Sequence, residues 1–481
     1  MPTVRLPLVG SPNNRSGDSS KDQRFVNCFP EEIKNELTEG KKFFLQKRFG
    51  TTAHKQPTGA TGVARGMYAW SGYILTCIGN KVYFTTTGAS PTSTAYTPTL
   101  STSTGYVGFV EGFDNGVSVL IFSDGIGLWK IAYGTQAAGS MVAVTAGYPT
   151  PHHPSPVFLD NYLFVQKTTG EIYNSAAGDV DSGWADYITP ESFEDPSVGL
   201  ARQNNLIVAF GTNSIEFFYD AANASGSPLL PNEQATIQFG CAALATVSQD
   251  EGLVAFVAQA GTGGKFVVAI DGTTPHNIST PAIERILEAE GSDIQDAWAY
   301  SIRIQGHFFY VLNLDTGKRT LVYDYDTKMW HEWNWYDTTL QGYTMFPMID
   351  QVEIGNTSYM MHDTDGYIYV ADPDVYRDNG NALRVQIQTS KFDGDTSMVK
   401  FCSRLSFICD EQTSASAMTV YYSDDDYQTW KPSGGRTTDL SNRAYLYRLG
   451  TFRRRAFQFT HTANTPLRFE AIELEIEKGV H

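Results

Sequence analysis

Val117-Ser-Val-Leu-Ile-Phe-Ser-Asp-Gly-Ile-Gly-Leu-Trp-Lys-Ile131 reads as strand, turn, strand. Its β-branched and aromatic runs suit a pleated, buried surface. Asp124, Gly125 and Gly127 supply the conformations a tight reversal needs. Outward from it the same clause recurs. On the N-terminal side stands Tyr73-Ile-Leu-Thr-Cys-Ile-Gly-Asn-Lys-Val-Tyr-Phe84. On the C-terminal side follow Tyr162 to Tyr173, Leu206 to Phe218, and a looser pair, Leu253 to Ala258 with Phe266 to Ile270. Phe308 to Leu314 pairs with Thr320 to Tyr325, and Tyr359 to Val370 is the last. The second strands are marked by Val82, Leu128, Ile172, Ile215, Val267, Val322 and Ile368, spaced 43 to 55 residues apart. That period is one β-propeller blade. A lone four-stranded sheet cannot bury both its faces, so neighbours stack radially and the ring closes. The expected fold is all-β, with a β-propeller of six or seven blades over residues 61–380.

The flanks read differently. Residues 1–60 are irregular and predict an extended N-terminal arm. It holds a polar run, Ser11 to Asp22, and an apolar clause whose Phe25, Val26 and Phe29 dock on the rest of the chain. Beyond Asp372 the rhythm breaks and strands lengthen: Leu383 to Thr389, Lys400 to Phe407, Met418 to Ser423, Arg454 to Thr460 and Leu467 to Ile476. Several alternate polar with apolar residues, so residues 381–481 predict a C-terminal antiparallel β-sandwich. One helix is expected, capped by Thr280, with Pro281 in its first turn, Ile283, Ile286 and Leu287 on one face, and Gly291 ending it.

Composition narrows the function. Of 481 residues, 41% are hydrophobic, 13% aromatic and only 18% charged, the profile of a globular chain. Thirty-five Lys and Arg stand against 52 Asp and Glu, a formal charge of −17. Such a chain is a poor sequence-specific nucleic-acid binder and ill suited to anionic membranes. No apolar run is long enough to span a bilayer, and the first ten residues lack a signal-peptide core, so no membrane anchor is expected. Cys28, Cys77, Cys241, Cys402 and Cys409 form no Cys-x-x-Cys pair and read as free thiols.

No catalytic, metal or cofactor motif survives inspection, and no enzyme activity or cofactor is expected. His152 and His153, between two prolines, read as solvated loop residues. Asp363-Thr-Asp-Gly366 begins like a calcium loop but runs into a strand, so it reads as a hairpin turn. Ser423-Asp-Asp-Asp-Tyr-Gln-Thr-Trp430 resembles the sialidase Asp-box, with Tyr427 where that motif has glycine. Arg453, Arg454 and Arg455 are the only dense basic run. As a strand they would point to opposite sides, either a solvated edge or an anchor for acidic surface on a partner subunit.

Several segments, in order, resemble one family. Gly62-Val-Ala-Arg-Gly66, then Asn80-Lys-Val-Tyr83, is similar to the G-V-S-R-G and G-K-L-Y of the packaged-DNA stabilisation proteins of Salmonella-type short-tailed phages, the tail accessory factors that form the tail hub or nozzle. Ile207 to Phe218 resembles that family's I-V-C-F-G-S-S-T-I-E-Y-F, the most specific segment. Ala282-Ile-Glu-Arg-Ile-Leu287 is similar to its S-I-E-K-I-I helix, and Leu449-Gly-Thr-Phe-Arg-Arg454 to its V-G-R-I-R-R. Residues 391–442 match poorly. The resemblance implies a virion tail protein, made in the bacterial host cytoplasm, that works structurally. It implies a homo-hexameric ring below the portal-adaptor connector that closes the head after packaging. It further implies contact with a tail needle or plug and a tailspike or tail fibre, and transient, non-specific passage of genomic DNA. Two other readings stay open: a glycan-binding or glycan-cleaving propeller serving as a receptor-binding tail component, and a cellular scaffolding propeller.

Overall fold

A computed structural model describes residues 3–9, 23–33, 42–145, 147–191, 193–223, 225–250, 252–441 and 444–479. The polar run Ser11 to Asp22 lies outside the described residues. Seven antiparallel sheets follow one another through residues 64–95, 108–143, 157–188, 197–231, 240–277, 298–337 and 348–372. All seven marker residues fall on the third strand of successive sheets, and each is fully buried. Each pair of neighbouring blades shares one apolar cluster, and the ring closes where Tyr83 of blade 1 meets Met361 and Ile368 of blade 7. The stacking argument is thus met by a ring of seven blades.

A second repeat runs on the opposite face. In six of the blades the described residues show the first two strands joined by a two-residue turn: 71–72, 115–116, 160–161, 204–205, 305–306 and 355–356. Ser71-Gly72, Asn115-Gly116, Asp160-Asn161 and Gln305-Gly306 have positive φ at both positions, the mirror-image turn whose twist matches paired strands.

The N-terminal residues are woven into both halves of the molecule, where a docked arm was expected. Gly50–Lys55 pairs with Ile368–Asp372 as the outer strand of blade 7, so an early segment closes the last sheet. Thr3–Pro7 and Lys42–Lys47 pair with the C-terminal strand Arg468–Lys478. Phe25, Val26 and Phe29 are buried as anticipated. The C-terminal half packs two sheets face to face around Cys28, Leu45, Val385, Leu405, Met418, Phe459, Phe469 and Leu474. One of these sheets is continuous with blade 6, because Arg24–Val26 lies between Met329–Asp337 and Val385–Gln388.

At that junction Asn27, held at φ 56°, makes a four-way tie. Its Oδ1 accepts from Arg48 Nε at 2.9 Å and from the Asn334 N–H at 2.8 Å. Its amide donates to the Arg384 carbonyl at 2.8 Å, and its N–H to the Glu332 carbonyl at 2.8 Å. Arg48, with no exposed surface, also grips Asp378 through two hydrogen bonds of 3.0 and 2.7 Å.

The helix forms as expected over Pro281–Ala289. Thr280 Oγ1 accepts from the Ile283 N–H, the predicted apolar face is buried, and Gly291 follows at φ 60°.

Candidate docking face

In a four-stranded meander the turn between the second and third strands lies on the same face as the connection to the next blade. Loops of this kind carry function when a rigid scaffold fixes them. Here buried polar side chains pin them. Arg65, fully buried, donates five hydrogen bonds: to the carbonyls of Gly79, Thr102, Thr104 and Gly105, and to the Thr102 hydroxyl. It binds the blade 1 turn to the connection leaving that blade. The Asp124 carboxylate, in the blade 2 turn, accepts from the Thr102 N–H and hydroxyl at 2.7 and 2.9 Å. In the connection after blade 3, Asp195 accepts from the N–H groups of Asn213 and Ser214 and from the Ser214 hydroxyl, fixing the blade 4 turn. Glu290 does the same for blade 6, accepting from the Gly317 N–H at 3.0 Å, and burial holds its carboxyl above the usual range. Charged groups that accept or donate several backbone bonds hold loops more firmly than neutral ones.

His152 and His153 belong to this scaffold. His152, 2% exposed, contacts the Ser123 hydroxyl through Nε2 at 2.6 Å and the Pro149 carbonyl through Nδ1 at 2.9 Å. Burial lowers the pKa of both histidines, that of His153 to about 4. The expectation of solvated loop residues missed this, because the prolines beside them fold the connection back over the blade 2 turn.

The propeller's own axis is plugged. Tyr106 meets Trp298 across it, with ring centroids 5.7 Å apart, and Tyr68 stacks on Phe109 at 5.8 Å. A cavity of about 210 Å³ remains, lined by these rings and by Tyr300 and Asp350. Burial pushes the Asp350 carboxyl up to about 7, although it accepts from the N–H groups of Met67 and Gln351. A duplex whose major groove alone is about 12 Å wide cannot pass there.

Arg453, Arg454 and Arg455 are not on a strand. The first two sit in a bend between Thr451–Phe452 and Ala456–His461, and Arg455 makes a single bridge to Phe392. Arg455 is 1% exposed. It forks onto Asp424 at 2.7 and 2.8 Å, donates to the Leu449 carbonyl, and lies over the rings of Tyr422 and Phe452. Its side chain is therefore committed within the chain. Arg454 pairs with Asp426 at the surface, and Arg453 donates to the Ser397 carbonyl. The Asp-box-like turn holds Asp424 in place. Asp425 accepts from Ser423 and Thr429, and Tyr427 takes φ 66° where the motif has glycine.

Among the described residues two carboxylate groupings resemble ligand sets, but their own chain fills them. The Lys130 ammonium bridges Asp114 and Asp181. Asp324 contacts His307 Nδ1 at 2.9 Å and accepts from Thr327.

Charge is unevenly distributed along the sequence. Residues 61–380 hold 12 Lys and Arg against 34 Asp and Glu, a balance of −22, whereas the remaining residues carry +5. The acidity belongs to the propeller alone.

No curated protein matches this sequence. Solved structures that resemble it include the computationally designed Ika8 protein (11% identity, 67% of this chain and 99% of that one, TM-score 0.39). The N-terminal domain of Nup159 aligns with 8% identity over 73% of this chain and 99% of its own, with a TM-score of 0.38. YCF48 bound to D1 peptide aligns with 11% identity over 67% and 96%, also at 0.38. A family model described as bacteriophage P22 Gp10, beta-propeller, matches residues 6–376, from the first N-terminal strand through blade 7. Leu449 to Arg454 lies beyond that match. With more than three-quarters of its length inside the model, the chain belongs to the P22 Gp10-type family of phage stabilisation β-propellers.

Proposed function

We propose that this protein is a tail hub of a short-tailed phage. In this reading six copies form a ring below the portal-adaptor connector, close the head after packaging, seat a tail needle or plug, and adjoin a tailspike or tail fibre. The observation that carries the reading is the family match over the whole propeller. Two physical features support it. With its axis occupied by aromatic rings, each propeller would serve as a solid wall segment, and DNA would leave through a channel between copies. An excess of acidic groups on that wall would repel phosphates, so DNA slides without sticking. The work is structural, with no reaction assigned.

The test is deletion of the gene from the source phage, with counts of DNA-filled heads after infection. Heads that package, then leak and appear empty without a lower tail, are the expected result. Heads that stay full while only adsorption or capsule clearance fails would overturn it in favour of a glycan-directed tail propeller.

A further inference from the structure

The blocked axis still holds a small chamber. It lies beside the Tyr106–Trp298 contact, among the first strands of blades 1, 2, 5, 6 and 7, and encloses about 210 Å³. Tyr68, Tyr106, Phe109 and Trp298 stand in its wall, each half-buried. They meet in two pairs, Tyr68 on Phe109 and Tyr106 on Trp298, with centroids 5.8 and 5.7 Å apart. Asp350 stands in the same wall and is also half-buried. Its carboxylate reaches out of blade 7 to the Met67 N–H of blade 1 at 2.7 Å, and its other oxygen accepts from the Gln351 N–H at 2.8 Å. Burial, and then the charge of Asp350, raise the Tyr106 phenol, so the carboxylate lies near that ring. Among the described residues no lysine, arginine or histidine lines the chamber, and no cation neutralises Asp350.

Each feature narrows the occupant. Ring faces carry negative potential and attract a cation. A carboxylate without a counter-ion also attracts a cation, and it repels an anion. An uncharged guest would leave that carboxylate unneutralised. The neighbouring polar side chains are tied to one another or to the backbone. The Tyr68 hydroxyl donates to Glu111 at 3.2 Å, Ser248 and Ser301 bond each other at 2.8 Å, and Gln351 Nε2 donates to the Ser301 carbonyl at 2.7 Å. Gln249 Oε1 accepts from the Arg202 N–H at 2.7 Å. A primary ammonium or a guanidinium brings several N–H donors that such a wall cannot serve. A calcium ion would need about six oxygen ligands or more. A quaternary ammonium needs neither. It has no N–H, it is attracted by ring faces, and it leaves both bonds to Asp350 in place. The volume is below the roughly 300–1,000 Å³ of pockets for drug-sized ligands, so the guest is small. The −22 balance of residues 61–380 would draw such a cation in.

We propose that the axial chamber binds a small quaternary ammonium compound of choline size, with Asp350 as its counter-charge among the four rings. The chamber does not depend on the hub reading.

The test uses the full chain at about pH 8, where the Asp350 carboxylate is ionised, and follows ligand binding by NMR titration. Choline is compared with its uncharged carbon isostere, in which a tert-butyl group replaces the trimethylammonium. Choline should bind at least about tenfold more tightly. Asp350→Asn, which keeps the shape of the side chain, should abolish that preference. Phe109→Leu, which removes one ring, should weaken choline several-fold. Thermal midpoints check that both variants fold. If Asp350→Asn fails to fold, Phe109→Leu and the wild-type comparison decide alone. Equal binding of the two compounds, binding of neither, or a preference that survives Asp350→Asn would overturn the proposal. Butylammonium or guanidinium binding as tightly as choline would overturn the quaternary class.

Discussion

Two adjacent arginines show how burial sets the worth of a charge. Arg455 is sealed among two rings, two carboxylate oxygens and a carbonyl, whereas Arg454 meets Asp426 in solvent. Removing Arg455 empties a buried site between two rings and forfeits charge-assisted hydrogen bonds typically worth about 1.5–3 kcal/mol, although its partner Asp424 stays in solvent; an exposed pair contributes about 0–1 kcal/mol. Arg455→Ala should therefore destabilise the C-terminal half strongly and Arg454→Ala hardly at all, as read by urea unfolding. Equal effects would refute the assignment of Arg455 as a structural residue. Asp350 gives a pH test. Its folded carboxyl titrates near 7, well above its unfolded value, so the folded state holds its proton longer. That stability is fully present below the unfolded pKa and is lost as pH rises toward and through 7. Asp350→Asn should raise the thermal midpoint at about pH 8 and change it little at about pH 4. A gain that is the same at both pH values would mean that the carboxyl is not perturbed in the folded protein.

At the scale of elements, the ring depends on a strand contributed from far away in sequence. Gly50 opens the segment that closes blade 7, and a Cβ there would lie 2.3 Å from the Arg377 carbonyl oxygen and 2.6 Å from that of Val375. Both contacts are backbone, so neither can swing aside. Gly50→Ala should loosen this closure, seen as faster amide exchange in Gly50–Lys55 and Ile368–Asp372 while blades 3 and 4 keep their protection. Uniform protection would show that the approach relaxes at little cost. This strand also marks the limit of what the sequence revealed. The inner hairpins were legible because their apolar runs and turn residues are local, and all seven markers landed on equivalent strands. Gly50–Lys55, with His54 and Lys55, has no such pattern, since an outer strand needs only one buried face and its partner lies more than 300 residues away. The two-residue turns were legible in principle: Ser-Gly, Asn-Gly, Asp-Asn and Gln-Gly recur at blade spacing. The docking face was the least legible part, because Arg65, Asp124, Asp195 and Glu290 act across loops that only the closed ring brings together.

The whole molecule is two cores joined by one continuous sheet. Blade 6 passes through Arg24–Val26 into the C-terminal half, and Asn27 ties that strand to Arg48, Asn334 and Arg384 at once. Arg24 and Arg319 both donate to Glu332, the residue opposite Val26, so charge reinforces the seam; burial opposes the ionised Glu332, but the two guanidiniums still hold its carboxyl below the usual range. Such a seam couples the stabilities of the halves, which would otherwise melt as separate domains. Asn27→Ala removes the shared acceptor, leaves Arg48 Nε and the Asn334 N–H unsatisfied, and places a Cβ-bearing residue without a compensating side-chain bond at φ 56°. The wild-type protein should unfold in one calorimetric transition and Asn27→Ala in two, with the C-terminal half melting first because it loses part of a sheet while the seven-bladed ring keeps every inter-blade cluster. Asn27→Gly, which relieves the backbone strain but not the lost bonds, should also split the transition. If both variants still unfold in a single step, the coupling resides in the paired strands themselves, and the Asn27 network only decorates the junction.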